Sequence, residues 1–166
     1  MNRVLILTAI FFLSIISVSC GGGDDTCPES DNFCHAHDGL NWSDASNSSM
    51  TWNEAINYCE NLGGRLPTIS ELRTLVQNCP ATETGGECGV TDSCLSTDCR
   101  SGLCSGCEYD DSGKYSVFGD TNWFWSFSEI DQENAWALGF YGGELTFGKK
   151  DGNNQFQISN DVRCVR

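Results

Sequence analysis

The stretch Met50-Thr51-Trp52-Asn53-Glu54-Ala55-Ile56-Asn57-Tyr58-Cys59-Glu60-Asn61-Leu62-Gly63-Gly64 contains the start, the buried face and the stop of a helix. Thr51 with Glu54 three residues later is the capping-box spacing, in which two side chains satisfy two orphan backbone donors. Trp52, Ala55, Ile56, Cys59 and Leu62 recur at helical spacing and form one apolar face. Met50 and Ala55 are placed to staple the entry. Gly63-Gly64 ends the helix, because glycine reaches the left-handed cap conformation at little cost. Cys59 falls on the buried face, positioned to tie the helix to something distant.

The device repeats downstream. Arg65-Leu66-Pro67 is a short extended link, Thr68 and Glu71 form a second capping box, and Ile69, Leu72, Leu75 and Val76 share one side before Gln77-Asn78 close the helix. Two short capped helices with narrow apolar faces need something flat to cover. The last third supplies it. Trp123 to Ser128 is aromatic and strand-like, and Trp136, Leu138 and Phe140 alternate with Ala137, Gly139 and Tyr141 in the half-buried strand pattern. Gly142-Gly143 reads as a two-residue hairpin turn, Glu144 to Phe147 returns, and Asp161 to Arg166 forms a final strand after a polar tract. With Gly39 to Trp42 as a strand-like opening, the fold class is α+β: two short helices packed on a small antiparallel sheet.

Between about residues 79 and 120 no period of 2 or 3.6 is sustained. A loop of that length argues against a compact domain unless something cross-links it. Cys79, Cys88, Cys94, Cys99, Cys104 and Cys107 can do so, in any of fifteen pairings. Cys104-Ser105-Gly106-Cys107 has the spacing of a redox or zinc motif, but no βαβ unit surrounds it, and in an oxidising compartment the disulfide reading prevails.

The N-terminus places the chain in such a compartment. Arg3 precedes the nearly unbroken apolar run Val4 to Val18, and small residues follow, as in a signal peptide over residues 1–19. Fifteen residues of helix span roughly 22 Å, short of the roughly 30 Å hydrocarbon core. Ser17-Val18-Ser19-Cys20 resembles the lipobox of bacterial lipoproteins, which implies acylation of Cys20 and a membrane anchor; ordinary cleavage with release is the alternative. Residues 20–38 then read as a flexible, lipidated tether that carries Cys27, Cys34, His35 and His37. Of the 11 cysteines in 166 residues, setting Cys20 aside leaves an even number for disulfides. Loss of Arg3 with the leader leaves 8 basic against 23 acidic side chains, a charge of −15. That argues against nucleic acid or an anionic membrane surface as a partner, since phosphates would be repelled.

Met50 to Ala55, Tyr58-Cys59, Arg65-Leu66-Pro67-Thr68 with Glu71-Leu72, Trp123 to Ser126, Ala135-Trp136 and Val162-Arg163-Cys164-Val165-Arg166 stand in an order that resembles the bacterial Lcl C-terminal-domain-like family. The resemblance covers residues 39–166, with a cysteine-rich insertion at about 79–120, and implies a C-type-lectin-like fold. A Cys59–Cys164 bond would close a loop of about 105 residues, worth roughly 4.7 kcal/mol on the chain-entropy model.

By resemblance, the expected function is a non-catalytic, surface-anchored binding or adhesion module in the cell envelope, most simply an outer-membrane lipoprotein facing the periplasm or the exterior. Its ligand is a glycan or an envelope or extracellular protein. The expected ligand surface is the polar loop with Asp151, Asn153 and Asn154, together with Tyr141 and Glu144. Asn160-Asp161 stands where animal C-type lectins place a calcium pair, and with Asp151 it would form the calcium set. The first acidic-amide pair is missing, and calcium takes about six to eight oxygens, so no metal or cofactor is expected. An enzyme of the formylglycine-generating type would need a reactive cysteine that Cys164 cannot supply if it pairs with Cys59. A purely structural envelope lipoprotein is the remaining alternative. Three or four of the five tryptophans, Trp136 among them, are expected in the core.

Overall fold

The computed structural model of the chain describes residues 27–28, 30–152 and 160–166. The leader, Cys20, Asn153 and Asn154 lie outside the described residues. Helix α1 spans Trp52–Asn61, with both halves of the Thr51/Glu54 capping box in place. It stops as glycine allows: Gly63 takes φ +85° and donates to Glu60 O, while Gly64 donates to Cys59 O, both at 3.0 Å, the paired bonds of a Schellman cap. Gly64 is also required for space, since a Cβ there would fall 2.3 Å from the Phe33 ring.

Helix α2 covers only Ile69–Arg73, capped by Thr68 and Glu71, and so ends earlier than the sequence suggested. The reason is a competing set of partners. Val117 donates to Leu75 O at 2.9 Å and Gln77 to Tyr115 O at 3.0 Å, so the insertion takes the bonds a longer helix would have made.

Two antiparallel sheets complete the α+β fold. Strands β1 (His35–His37) and β2 (Leu40–Trp42) form a two-stranded ribbon. The main sheet has β3 (Trp123–Glu129), β4 (Asn134–Gly139) and β5 (Glu144–Lys149) in simple sequential order. Strand β4 is buried on both faces rather than one. Its two-residue period sends Trp136 and Leu138 into one core, with Trp42, Ile69, Leu72, Val90 and Leu145. Ala135 and Ala137 face the other, with Trp52, Ala55, Trp125 and Val162. The central strand therefore partitions the interior. Four of the five tryptophans are buried, Trp136 completely; Trp123 is half-buried.

Four expectations need correction. The domain does not open at Gly39: Phe33 is buried in the second core and His35–His37 pairs with β2, so residues 33–38 belong to the fold and not to a flexible tether. The β4–β5 connection has four residues, Phe140 to Gly143, because Gly139 pairs with Glu144. Strand β4 lacks the half-exposed pattern expected of it. Residues 160–166 form no regular strand; they make single bridges to Met50, Phe124, Trp42 and Arg65. Threaded between several neighbours, Asp161 to Val165 are buried throughout.

Ten cysteines form five disulfides: Cys27–Cys34, Cys59–Cys164, Cys79–Cys107, Cys88–Cys104 and Cys94–Cys99. The second ties α1 to the chain end across 105 residues. The last three are concentric, each enclosing the next, and pin the insertion. The CxxC pair does not close on itself; its members reach Cys88 and Cys79. Arg73 completes the pinning. Its buried guanidinium donates to the carbonyl oxygens of Thr82, Glu83, Cys88 and Val90.

Candidate functional site

The insertion meets the β4–β5 hairpin edge to edge. Cys107 N–H donates to Gly142 O and Asp110 N–H to Tyr141 O, both at 2.7 Å. The backbones touch because Gly106, at φ +75°, has no Cβ; one added there would lie 2.3 Å from Gly142 O. The Cys79–Cys107 bond fixes this seam, with Cys79 Sγ 3.6 Å from Gly142 O.

The seam sets three aromatic rings in a row. Tyr109 from the insertion lies 5.3 Å from Tyr141 in the hairpin, and Tyr141 meets Trp123 of β3 edge-on at 5.1 Å. Trp123 is opposite Gly139 in the sheet, and a Cβ on Gly139 would come within 3.0 Å of both the Tyr141 and Trp123 rings. Tyr109 is 68% exposed, the most open large hydrophobic among the described residues.

Polar groups border the row. Tyr141 Oη donates to Glu144 Oε2 at 3.1 Å, and Glu144 Oε1 faces Arg100 Nη2 at 3.4 Å. Arg100 is itself held by Leu145 O at 3.1 Å. Next to Tyr109, Asp110 pairs with Lys114 at 2.8 Å and accepts from Ser112. The Lys114 bond, then those from Ser112, hold the Asp110 carboxyl down at about 2. Burial, reinforced by the Glu144 charge, pushes the Tyr141 phenol up, so it stays a neutral donor. The result is an aromatic row, exposed at Tyr109 and half-buried at Tyr141 and Trp123, bordered by charged hydrogen-bonding groups, an arrangement suited to stacking a flat apolar ligand face while gripping its polar edge.

Of the residues expected to bind ligand, Tyr141 and Glu144 come together here. Asp151 does not join them: Glu144 begins β5 and Asp151 lies past its other end, in a cleft of about 410 Å³ with Trp52, Asn53 and Glu133. Neighbouring Lys150 is a buried structural cation, bonded to Glu129, Asp131 O and Gln132 O and lying 4.6 Å over the Trp52 ring. Asp161 uses both carboxylate oxygens internally, accepting from Ser49 and Asn122 at 2.6 Å each. Asn160 is buried with an amide that finds no hydrogen-bond partner among the described residues.

Both histidines are inside the fold. His35 Nε2 meets Asp44 Oδ1 at 2.7 Å, and His37 Nε2 meets Thr74 O at 2.9 Å. Sequence reasoning missed Tyr109 and Arg100 and placed Trp123 among core candidates. An exposed tyrosine in an aperiodic segment gives no signal of its own; only the disulfide pattern could have brought it to the hairpin.

The family model described as the Lcl C-terminal domain matches residues 33–166, beginning at the residue where core packing begins. No curated protein matches the chain.

Proposed function

This chain belongs to the Lcl C-terminal domain family, and on that premise we propose that it is a non-catalytic binding module whose ligand face is the Tyr109–Tyr141–Trp123 row. The module is held at the cell envelope by an acylated Cys20. The ligand is an uncharged carbohydrate. Its apolar ring face stacks on Tyr109, and its hydroxyls reach Glu144 and Arg100. One observation supports this above the others: two separate segments, joined by a disulfide and two short backbone bonds, jointly present an exposed tyrosine against two further rings. Such pinning lowers the ordering cost of docking. The formal charge of −14 disfavours polyanionic ligands.

The test is glycan-array binding by the purified, oxidised protein. Tyr109→Ala should abolish binding to neutral glycans without moving the melting temperature, because the ring is mostly exposed. An array silent for neutral glycans, or one unchanged by the substitution, sinks this reading; a protein retained in a parallel pull-down would then point to a protein ligand.

A further inference from the structure

The Cys27–Cys34 disulfide differs from those in the cores. Cys34 is exposed and Cys27 half-buried; Cys94 is exposed as well, but its partner Cys99 is buried, as are Cys59, Cys164, Cys79, Cys88 and Cys104. Cys34 N–H donates to Cys27 Sγ at 3.1 Å. The ligand atoms of Cys27, Cys34 and His35 all lie within 4.8 Å of one another, a grouping of metal-ligating side chains met only here among the described residues. Asp44 orders the group: Oδ1 holds His35 Nε2 at 2.7 Å and Oδ2 accepts Cys27 N–H at 2.7 Å. A cleft of about 540 Å³, lined by Cys27, Pro28, Asp44, Tyr58 and Arg163, opens beside the bond.

We propose that Cys27–Cys34 is an exchangeable disulfide and that, once a dithiol opens it, both sulfurs and His35 capture a thiophilic divalent cation such as zinc. A thiolate of the dithiol attacks the exposed Cys34 Sγ, and the Cys27–Cys34 bond breaks. Cys27 leaves as a thiolate, its charge met by the Cys34 N–H and the adjacent imidazole. The second thiol of the reductant then attacks the mixed disulfide, freeing Cys34. The reductant ends as a disulfide, and its two electrons reside in the Cys27–Cys34 pair. The cation binds two thiolates, releasing the remaining thiol protons to solvent. With Nε2 committed to Asp44, His35 offers Nδ1, and Asp44 becomes the carboxylate that orients it. Three protein ligands leave the fourth tetrahedral position to water. The core disulfides keep the fold intact meanwhile.

The experiment titrates the oxidised protein with dithiothreitol, traps free thiols with iodoacetamide and maps the labelled cysteines. Cys27 and Cys34 should be labelled first, with the other eight protected. Cadmium added anaerobically to that species should give thiolate charge-transfer absorbance at one ion per chain. Affinity should fall at least ~10-fold in Asp44→Asn and further in His35→Ala. The oxidised protein and a Cys27→Ser/Cys34→Ser double variant should give none. Opening of Cys94–Cys99 before Cys27–Cys34, or equal cadmium binding by the oxidised or doubly substituted protein, would overturn the proposal. So would His35→Ala retaining full affinity.

Discussion

Arg163 and Asp120 meet in a two-pronged buried ion pair, Nε to Oδ2 and Nη2 to Oδ1 at 2.8 Å each, which fastens the end of the chain to the end of the cysteine-rich insertion. Arg163 also donates to Ser43 O and lies 4.8 Å over the Phe118 ring. Removing one partner would leave the other charged in a site with almost no water, which typically costs about 3–5 kcal/mol. Asp120→Ala should therefore destabilise by about that much in urea unfolding, while Asp120→Ala with Arg163→Met should recover a large part. Equal losses in the single and double variants would mean that the pair's charge is not the issue.

Trp136 is fully buried, packs edge-on to Phe147 at 5.7 Å and donates its indole N–H to Leu95 O at 3.0 Å. Trp136→Ala leaves a large cavity and an unpaired carbonyl, with an expected loss of about 3–5 kcal/mol. A change under ~1 kcal/mol by chemical denaturation would contradict its central place.

Arg73→Met retains the volume of the aliphatic stem but abandons four carbonyl oxygens. A loss of about 3 kcal/mol is expected, since each buried acceptor left unpaired costs about 1–3 kcal/mol and some will find water. Hydrogen exchange should accelerate around residues 82–90 ahead of the sheet. Uniform acceleration across the domain would argue against this local role.

Acid should weaken the start of α2. Burial alone would raise the Glu71 carboxyl, but the two-pronged bond from Arg65 at 2.6 Å and the Thr68 N–H pull it below its ordinary value of 4.5. A depressed folded pKa gives stability that is present above 4.5 and lost as pH falls through the folded value. Glu71→Gln should melt lower than wild type at pH 7, and the gap should close towards pH 3. A gap that persists unchanged in acid would show that the charge contributes nothing.

Legibility followed locality. Helix α1 could be read from cap to stop because its signals lie within Thr51 to Gly64, and the glycines adopt the geometry their position suggested. Helix α2 was over-read because its later residues bond to Tyr115 and Val117, some forty positions on. Strand β1 was invisible: His-Ala-His has no apolar alternation, and it is ordered by Asp44, Thr74 and Phe118 from elsewhere. The final segment looked like a strand because Val162 and Cys164 alternate with Arg163, yet Arg163 is buried too, and Asp120, with Ser43 O and the Phe118 ring, makes that tolerable. The site was half legible. Tyr141 and Glu144 share a hairpin, but Tyr109 joins them through a cysteine pairing that fifteen alternatives concealed.

Because the Cys79–Cys107, Cys88–Cys104 and Cys94–Cys99 bonds lie one inside another, a protease that cuts between residues 80 and 106 severs the backbone without releasing the halves. The nicked molecule stays one covalent piece, and Cys107 continues to hold Tyr109 beside the hairpin. On a surface open to hydrolases, the outermost bridge would let the proposed recognition face outlast the integrity of the loop that built it.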